Sequence, residues 1–245
     1  MCSRYSLTAK EWDFFSAFLK ELMLLKATAR YNIAPTQSAP VIAMNKDRMP
    51  ALREMSFGFQ TPASQDRKAS ILVNARSETV AEKPTFRDAF KERRCLVPAT
   101  GFYEWRKIGS QKQPNNIRLK NGEPFYFAGL WRTSLIEPKP TLGAPAPEPG
   151  TKDTFVIMTT EPNRLMASIH NRMPVILDQE ARDRWLDPAT RPENLHALLR
   201  PYDSNAMEAW PVGSGVGSPV NDSPECLERV EPLRAPVQQD LFGES

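Results

Sequence analysis

The sequence predicts an α+β fold: a single domain whose core is a barrel-like sheet of mixed or antiparallel strands, flanked by helices. Short apolar, β-branched runs alternate with helical patterns at irregular spacing, and no internal repeat is evident. Apolar residues make up 40% of the 245 residues, which is enough for a substantial core. The chain has 23 prolines and only 11 glycines, which indicates many stiff turns between short elements.

The first predicted element is a long helix over Leu7–Lys26. Thr8 and Glu11 have the spacing of a capping box, and large apolar residues recur on one face of the helix that follows. The next segment, Arg30–Pro40, is polar and punctuated by prolines, and is therefore predicted to be a loop that leads into a strand.

The remaining predicted elements are short. Strands are predicted at Val41–Met44, Ser56–Phe59, Ile71–Val73, Cys95–Val97, Gly101–Trp105, Pro124–Trp131, Thr154–Thr159 and Val175–Leu177. A break is predicted at Pro98, between the strands Cys95–Val97 and Gly101–Trp105, because proline cannot donate a ladder hydrogen bond. Helices are predicted from the cap Thr85 to Arg93, over Glu161–Ile169, from the cap Asp178 to Leu186, and over Glu193–Leu199.

One folded domain is predicted over residues 1–233, with a proline-rich insertion and a disordered tail. The insertion, residues 137–151, reads EPKPTLGAPAPEPGT and has too little apolar content to join the core. The tail comprises residues 234–245, a terminal stretch beyond the last predicted elements.

Charge and cysteine content narrow the classes of protein to which this chain can belong. The formal net charge is +3, from 32 basic and 29 acidic residues, so composition alone does not predict nucleic-acid binding. Cys2, Cys95 and Cys226 are widely spaced without a CxxC pair, which argues against a zinc site. An odd cysteine count and the lack of a secretory signal are typical of the cytoplasm. The longest apolar runs, such as Leu22–Leu25, are too short to cross a membrane.

Cys2 is the first candidate for reaction chemistry. Removal of Met1 would leave an α-amine and a thiol on adjacent carbons, a 1,2-aminothiol. Such an amine condenses with an aldehyde to an imine, and the thiol then adds to the imine carbon to close a thiazolidine ring. In solution the amine has a pKa of about 7.7–8.0 and the thiol one of about 8.5, so both are near their reactive forms at neutral pH. Position alone also fits an incidental cysteine at a frayed terminus.

Three further positions are candidates for proton transfer or positioning. His170 lies in a loop before a proline turn, which suits an acid or base better than the apolar helical pattern around His196. Glu104 stands among aromatic residues on a strand, where it either faces solvent or is partly desolvated with a raised pKa. Asn74 and Arg76 are two residues apart and share one face, either as a polar surface or as a site that orients a polar group and holds a phosphate.

Arginines and aromatic residues flank these positions. If the motifs converge in space, a basic cleft forms despite the small net charge, and guanidinium forks suit phosphate oxygens. The flanking arginines are Arg4, Arg30, Arg76, Arg106 and Arg172. Aromatic residues belong to the core by default but can also stack on single-stranded bases. The candidates for stacking are Tyr31, Phe86, Tyr103 and Trp105.

Taken together, these segments resemble the SOS-response-associated peptidase (SRAP) family, whose members sense abasic sites in DNA. The matching segments are MCSRY at residues 1–5, RYNIAPT at 30–36, NARSET at 74–79, CLVP at 95–98, GFYEW at 101–105 and HNRMP at 170–174. Their order also matches, as do WPV at 210–212 and PVN at 219–221. The resemblance covers about residues 1–233, and six ordered motifs are far more specific together than any one alone.

The resemblance implies a covalent role for Cys2. After removal of Met1, Cys2 would attack the open-chain aldehyde of an abasic deoxyribose in single-stranded DNA and form a stable thiazolidine crosslink. The family's active-site residues map onto three other positions. Asn74 would position the terminus, Glu104 would move protons during imine formation and ring opening, and His170 would be the general acid and base on the sugar oxygen.

The resemblance also implies the DNA contacts and the side activities. Arg4 and Arg76 would bind flanking phosphates, and Arg172, Tyr31 and Trp105 complete the predicted DNA-binding set. The first covalent step is a Schiff base, so β-elimination gives a lyase side activity, and the family name implies proteolytic release of the initiator methionine. We expect a monomer that needs no cofactor and binds no membrane.

Two departures from the family pattern affect the terminus and the DNA surface. Ser3 stands where members usually have glycine, which removes backbone freedom beside Cys2. The stretch Phe57–Ala69 lacks the tryptophans that usually occur as a Trp-Gly and a Pro-x-Trp. Phe57 and Phe59 are candidates to replace the first, and the loss of the second concerns the stacking surface rather than the Cys2 chemistry.

Two other functions stay open on the sequence. A cysteine or N-terminal-nucleophile peptidase would use Cys2 with His170 to hydrolyse other proteins. A non-covalent module would bind single-stranded DNA with Cys2 as a passive residue.

The predicted tail resembles the peptide by which bacterial proteins dock on the replication sliding clamp. Gln238, followed by Leu241 and Phe242, provides a polar and two apolar anchors that a disordered tail can place in a pocket. A Leu241→Ala/Phe242→Ala variant should therefore lose affinity for the purified clamp in a binding titration. Affinity equal to that of the unmodified chain would refute the motif.

Overall fold

Strands dominate the computed structural model, which describes residues 2–8, 29–61, 70–136 and 150–234. In these residues the strands are β1 (Tyr5–Leu7), β2 (Arg30–Ile33), β3 (Ser38–Met44), β4 (Pro50–Phe57), β5 (Phe59–Thr61), β6 (Ser70–Leu72), β7 (Asn74–Arg76), β8 (Arg94–Ala99), β9 (Gly101–Ile108), β10 (Gln111–Leu119), β11 (Phe125–Ile136), β12 (Gly150–Thr160), β13 (Met173–Pro174), β14 (Ile176–Leu177) and β15 (Met207–Pro211). The helices are α1 (Arg87–Glu92), α2 (Arg164–Ala167), α3 (Gln179–Leu186) and α4 (Pro192–His196), with 3₁₀ turns at Ser204–Ala206, Ser214–Gly217 and Pro224–Leu227.

Five of these strands close a barrel. Around the ring, β3 pairs with β4, β4 with β12, β12 with β11, β11 with β8, and β8 with β3. The short contact between β4 and β12, where Phe57 lies opposite Phe155, is parallel and the other four are antiparallel. Closure removes the exposed strand edges of an open sheet. This mixed, closed sheet with few helices confirms the predicted α+β class and barrel-like core.

A second, antiparallel sheet lies beside the barrel, in the order β15-β10-β9-β1-β2. Although β1 is short, it is an inner strand: Tyr5 lies opposite Phe102 of β9 on one side and Ile33 of β2 on the other. Because β1 starts three residues after Cys2, this sheet fixes the position of the predicted nucleophile.

Aromatic contacts join the barrel to the second sheet. The ring of Tyr5 meets Phe57 of β4 at 5.8 Å and Phe127 of β11 at 6.0 Å between centroids, both edge-on. Phe102 of β9 also meets Phe127 edge-on, at 5.9 Å. These rings are buried, and edge-to-face pairs are stabilising beyond the area that they bury. The barrel and the sheet therefore share one core, and neither can shift far without the other.

The strand β9 alternates between two cores. Phe102 belongs to the main core, whereas Tyr103 belongs to a smaller one on the other face, with Trp105 packed against it. This smaller core is completed by Trp210, Val212, Val216 and Cys226. The predicted alternation along Gly101–Trp105 is confirmed, and it puts Glu104 on the face of the main core.

The N-terminal expectations differ from the structure in two places. Leu7 ends strand β1 instead of beginning a helix, and residues 9–26 of the predicted helix lie outside the described residues. The predicted loop Arg30–Pro40 is wrong over most of its length, because β2 covers its start and β3 begins at Ser38. Polar Asn32 is buried in β2 because its amide is fully used in hydrogen bonds.

The predicted break at Pro98 is also wrong, since this residue lies within β8 opposite Tyr126 of β11. The proline is tolerated because β8 pairs with β3 only at Cys95 and Leu96, so its second ladder has ended before Pro98. The strand ends instead at Ala99, and Thr100 separates β8 from β9.

The helices are present but mostly shorter than predicted. Asp178 caps α3 as expected and accepts a hydrogen bond from the Ala181 N–H at 2.8 Å. Thr85 does not cap α1, whose N-cap residue is Phe86 and which has no side-chain cap. The helix predicted over Glu161–Ile169 is reduced to the 4 residues of α2, and the one predicted over Glu193–Leu199 corresponds to the 5 residues of α4.

The insertion and the tail are largely outside the described residues. Gly150 and Thr151, which end the predicted insertion, already belong to β12, and residues 137–149 are not described. The described chain ends at residue 234, so the clamp motif at Gln238, Leu241 and Phe242 lies beyond it.

Candidate active site

Cys2 is enclosed, although it is the first residue that the structure describes. Its side chain is 1% exposed, and the closest hydrogen-bond acceptor of Sγ is the Arg4 carbonyl oxygen at 4.0 Å. Burial raises the pKa of the Cys2 thiol, and the charge of Glu104 raises it further. At neutral pH the sulfur is therefore a thiol, further from its thiolate form than the solution pKa of about 8.5 implies.

Asn74 holds the backbone at Cys2. It begins β7, which pairs in parallel with β12 so that Asn74 lies opposite Ile157. Its Nδ2 donates to the Cys2 carbonyl oxygen at 3.0 Å and to the Ile157 carbonyl oxygen at 3.3 Å. Its Oδ1 is buried and accepts no hydrogen bond from the described residues. The Asn74 amide therefore fixes the Cys2 backbone through Nδ2, while Oδ1 is an additional hydrogen-bond acceptor beside it.

Glu104 is a buried carboxyl in the same site. It is 1% exposed on β9, and burial raises its pKa, while a positive charge on His170 lowers it. Each of Glu104 and Cys2 becomes harder to ionise when the other is charged. Burial therefore favours the protonated form of both groups. The alternative in which Glu104 faces solvent is excluded.

His170 follows α2 and is half-buried. The backbone N–H of Arg172 donates to its Nδ1 at 3.0 Å. Nδ1 also lies 3.3 Å from the Arg172 carbonyl oxygen, but the shorter contact, with the N–H, requires a lone pair on Nδ1 and so favours the neutral form with its proton on Nε2. His170 interacts electrostatically with Glu104, which brings both into one site. His196 is exposed and packs on Phe90 outside this site.

The predicted DNA-binding arginines separate into two groups. Arg4 uses its guanidinium internally, donating to Asn32 Oδ1 at 3.1 Å and to the carbonyl oxygens of Val216 and Gly217, each at 2.9 Å. Arg172 is likewise engaged in contacts with its own chain. Arg76, at the end of β7, is exposed to solvent.

Of the four stacking candidates, Phe86 and Tyr103 are buried, and Tyr31 and Trp105 are half-buried rather than presented to solvent. Tyr31 and Trp105 both pack against the smaller core. The backbone N–H of Tyr31 donates to Asp222 Oδ1 at 2.5 Å, and its carbonyl oxygen accepts from the Tyr103 hydroxyl at 2.7 Å.

Phe57 and Phe59, the candidates to replace a family tryptophan, are fully buried. Phe57 stacks on Phe155 with centroids 5.0 Å apart and planes at 11°. Both rings are core residues and are not available to a DNA base.

Sequence reasoning missed the polar residues that anchor this site. Asp222 accepts from the backbone N–H groups of Tyr31 and Asn32 and pairs with Arg30. The Asn32 amide donates to three carbonyl oxygens of the segment 216–221. The sequence signal for these contacts was a pair of polar motifs, RYN at residues 30–32 and PVND at residues 219–222. Polar side chains of this kind need hydrogen-bond partners when they are buried.

The described residues contain no group of three or more His, Cys, Asp or Glu side chains placed to hold a metal ion. The three cysteines are free and buried. No helix in the described part of the chain is long and apolar enough to cross a membrane.

Residues 1–219 match the family described as SOS response associated peptidase (SRAP). The chain belongs to the SRAP family. Among its relatives, the abasic site processing protein YoqW of Bacillus subtilis is 39% identical over 236 residues, which are 93% of this chain and 99% of that protein. The abasic site processing protein HMCES of Gallus gallus is 32% identical over 82% of this chain and 66% of its own length.

Solved structures have the same fold as this SRAP chain. A protein from Bacteroides thetaiotaomicron has a TM-score of 0.74 at 26% identity, covering 94% of this chain and 100% of its own. A phage-related protein from Bordetella bronchiseptica has a TM-score of 0.66 at 28% identity, covering 86% of this chain and 94% of its own.

Replacing Glu104 with glutamine should stabilise this SRAP protein, and more so as the pH rises. Because the folded-state pKa of Glu104 is raised, its proton is lost more readily on unfolding, so the carboxyl costs stability above about pH 4. Each pKa unit corresponds to about 1.4 kcal/mol, or about 3–6 °C in Tm for a chain of this size. The Tm difference between Glu104→Gln and the unmodified chain should grow between pH 4 and pH 8 in calorimetry. The exposed Glu54→Gln variant should show no such trend, and a flat difference for Glu104→Gln would contradict the buried acid.

Proposed function

We propose that this SRAP protein processes abasic sites in single-stranded DNA by forming a thiazolidine crosslink through a processed Cys2 terminus. The observation that carries the proposal is the enclosure of Cys2 with Asn74, Glu104 and His170, which come from four distant segments of the chain. Relatives named abasic site processing proteins support the DNA substrate.

The amine is the first nucleophile in this mechanism. The peptide nitrogen between Met1 and Cys2 is an amide and does not add to aldehydes, so Met1 must be removed first. The freed amine can then donate a hydrogen bond to Asn74 Oδ1, which has no other described donor. Held in this way, it adds to the C1′ aldehyde of the open-chain sugar.

Glu104 acts as an acid and then as a base. The protonated carboxyl donates to the carbinolamine oxygen, which leaves as water when the imine forms. The carboxylate then accepts the Cys2 thiol proton as sulfur adds to the imine carbon and closes the ring. Aldehyde and aminothiol thus give thiazolidine and one water, and Glu104 recovers its proton. Its raised pKa suits a carboxyl that must be neutral before the first of these steps.

His170 assists the opening of the sugar. An abasic deoxyribose is mostly a closed hemiacetal, and opening it requires a proton on the ring oxygen. Opening moves the proton of the C1′ hydroxyl to the ring oxygen as the C1′–O bond breaks, and the Nε2–H of His170 hydrogen-bonds that oxygen and stabilises the charge that develops on it, since Nδ1 accepts from the Arg172 N–H. β-Elimination from the imine, before sulfur adds, accounts for a lyase side activity.

The crosslink should form with an abasic single-stranded oligonucleotide and survive denaturing electrophoresis. Cys2→Ala should give no stable adduct. Both Cys2→Ala and Cys2→Ser keep the α-amine and lose the thiol, so each should give an imine that is stable only after borohydride reduction. A chain with a non-removable N-terminal extension should be inert, with Met1 removal checked by mass.

Other outcomes of that experiment support the rival functions. A complex on native gels without an adduct in any condition would indicate a non-covalent binding module. Turnover of an added peptide without an adduct would indicate a peptidase acting on other proteins.

Arg76 is proposed to bind a phosphate next to the abasic site. It is exposed two residues after Asn74 and shares its face, whereas Arg4 and Arg30 are engaged with their own chain. Arg106 is a second exposed cation, two residues after Glu104 on β9.

Arg76→Ala should weaken binding to single-stranded DNA and reduce the slope of log K against log salt by about 0.7, because one fewer counterion is released. Fluorescence anisotropy at several salt concentrations measures both quantities. Lys46→Ala removes an equally exposed cation from the turn between β3 and β4 and should leave the slope unchanged. An unaltered slope for Arg76→Ala would refute the phosphate contact.

A further inference from the structure

An ion pair ties the motif that contains Asn74 to the loop that contains His170. The guanidinium of Arg172 forks onto the carboxylate of Glu78, with Nη1–Oε1 at 2.5 Å and Nη2–Oε2 at 2.9 Å. The Arg172 side chain is 14% exposed and that of Glu78 50% exposed. A half-buried fork of this kind is more directional than an exposed ion pair. The hydrogen bond from Arg172 lowers the pKa of Glu78, so the pair stays charged.

The same guanidinium is anchored to the barrel. Nη2 of Arg172 also donates to the Thr159 carbonyl oxygen at 2.7 Å, and this oxygen accepts the Ser77 N–H at 2.8 Å. Thr159 lies on β12 two residues after Ile157, the residue opposite Asn74. Arg172 therefore joins the β7 segment, β12 and the His170 loop at one point, on the strand pair that also positions Cys2.

The place of Arg172 determines what His170 can do. The Arg172 N–H donates to His170 Nδ1 at 3.0 Å, and this contact leaves Nε2 to carry the proton of the neutral ring. Without Glu78 the guanidinium keeps its contact with Thr159 alone, so the loop that presents this N–H is held less firmly, and Nδ1 can take the proton and donate it to the Arg172 carbonyl oxygen 3.3 Å away. The histidine would then offer a lone pair where a donor is needed.

We propose that Glu78 is a positioning residue of the site, which fixes the Nε2–H form and the place of His170 through Arg172. Glu78 itself lies on the outside of the pair and touches neither Cys2 nor Glu104 in any described contact. The consequence for activity rests on the proposed crosslinking function, but the consequence for the imidazole does not.

The imidazole can be observed directly because the chain has only two histidines. Nitrogen-15 NMR distinguishes the two neutral forms of the ring, and a His196→Gln background leaves His170 as the single signal. At a pH where the ring is neutral, the unmodified site should show the Nε2–H form. Glu78→Gln keeps the size of the side chain but removes its charge, and it should move a measurable fraction of the ring to the Nδ1–H form. Glu78→Asp, which keeps the charge on a shorter chain, should give an intermediate fraction.

Glu82→Gln is the matched control, since Glu82 is an exposed carboxylate in the same turn region and belongs to none of the ion pairs between described residues. It should leave the ring unchanged. Amide spectra confirm that each variant is folded. Unchanged His170 signals in both folded Glu78 variants would overturn the proposal.

Crosslinking provides the second readout. Glu78→Gln should slow crosslinking by about tenfold while the affinity for intact single-stranded DNA stays the same, because the substitution misplaces a proton donor and leaves the phosphate-binding side chains in place. A slower reaction with an equal decrease in DNA affinity would contradict the positioning role. If the ring changes form but no variant and no unmodified protein crosslinks abasic DNA, the positioning of His170 stands and the proposed function fails.

Discussion

The parallel pairing of β7 with β12 is the interaction on which the site depends. It sets Asn74 opposite Ile157, and through that amide it fixes the backbone of Cys2. Two residues further along, the carbonyl oxygen of Thr159 accepts both the Ser77 N–H and the Arg172 guanidinium. A single register therefore sets the separation of Cys2 from the loop that contains His170. A slip of one residue would turn Asn74 away from Cys2, because side chains alternate between faces.

The site is assembled at a cost to stability. A carboxyl and a thiol are both held away from water, and each discourages the ionisation of the other. Such groups are costly to bury unless they can stay neutral. The shared aromatic core of Tyr5, Phe57 and Phe127 offsets this cost, since it locks the second sheet on the barrel just where Cys2 enters.

Prediction from sequence succeeded where apolar periodicity or a specific motif marked an element. The strand β12 is a β-branched run, and Asp178 has the spacing of a helix cap, so both were recognisable locally. The strands β2 and β10 were not, because several of their buried residues are polar. In β10, Gln113 and Asn115 satisfy their amides on backbone carbonyl oxygens, which no hydropathy pattern reveals.

Contacts that no sequence pattern reveals also limit what could be predicted about the site. Motif resemblance named Cys2, Asn74, Glu104 and His170, and strand alternation gave the face of Glu104. Neither motif resemblance nor strand alternation could distinguish an arginine that faces solvent from one that binds its own chain. Arg4 and Arg76 look alike in sequence, yet only the fold shows that Arg4 is held by Val216 and Gly217 while Arg76 is exposed.

The contacts of Arg4 have a consequence for how the protein is made. The residues that hold it are 212 and 213 positions further along the chain. A nascent chain cannot complete the surroundings of Cys2 until that distant segment has left the ribosome and docked on β1 and β2. Contacts of such long sequence separation also form late during folding, because a long loop must close first. The surroundings of Cys2 are thus complete only after residues 216 and 217 have been made and have docked, and a shorter nascent chain carries Cys2 without these contacts.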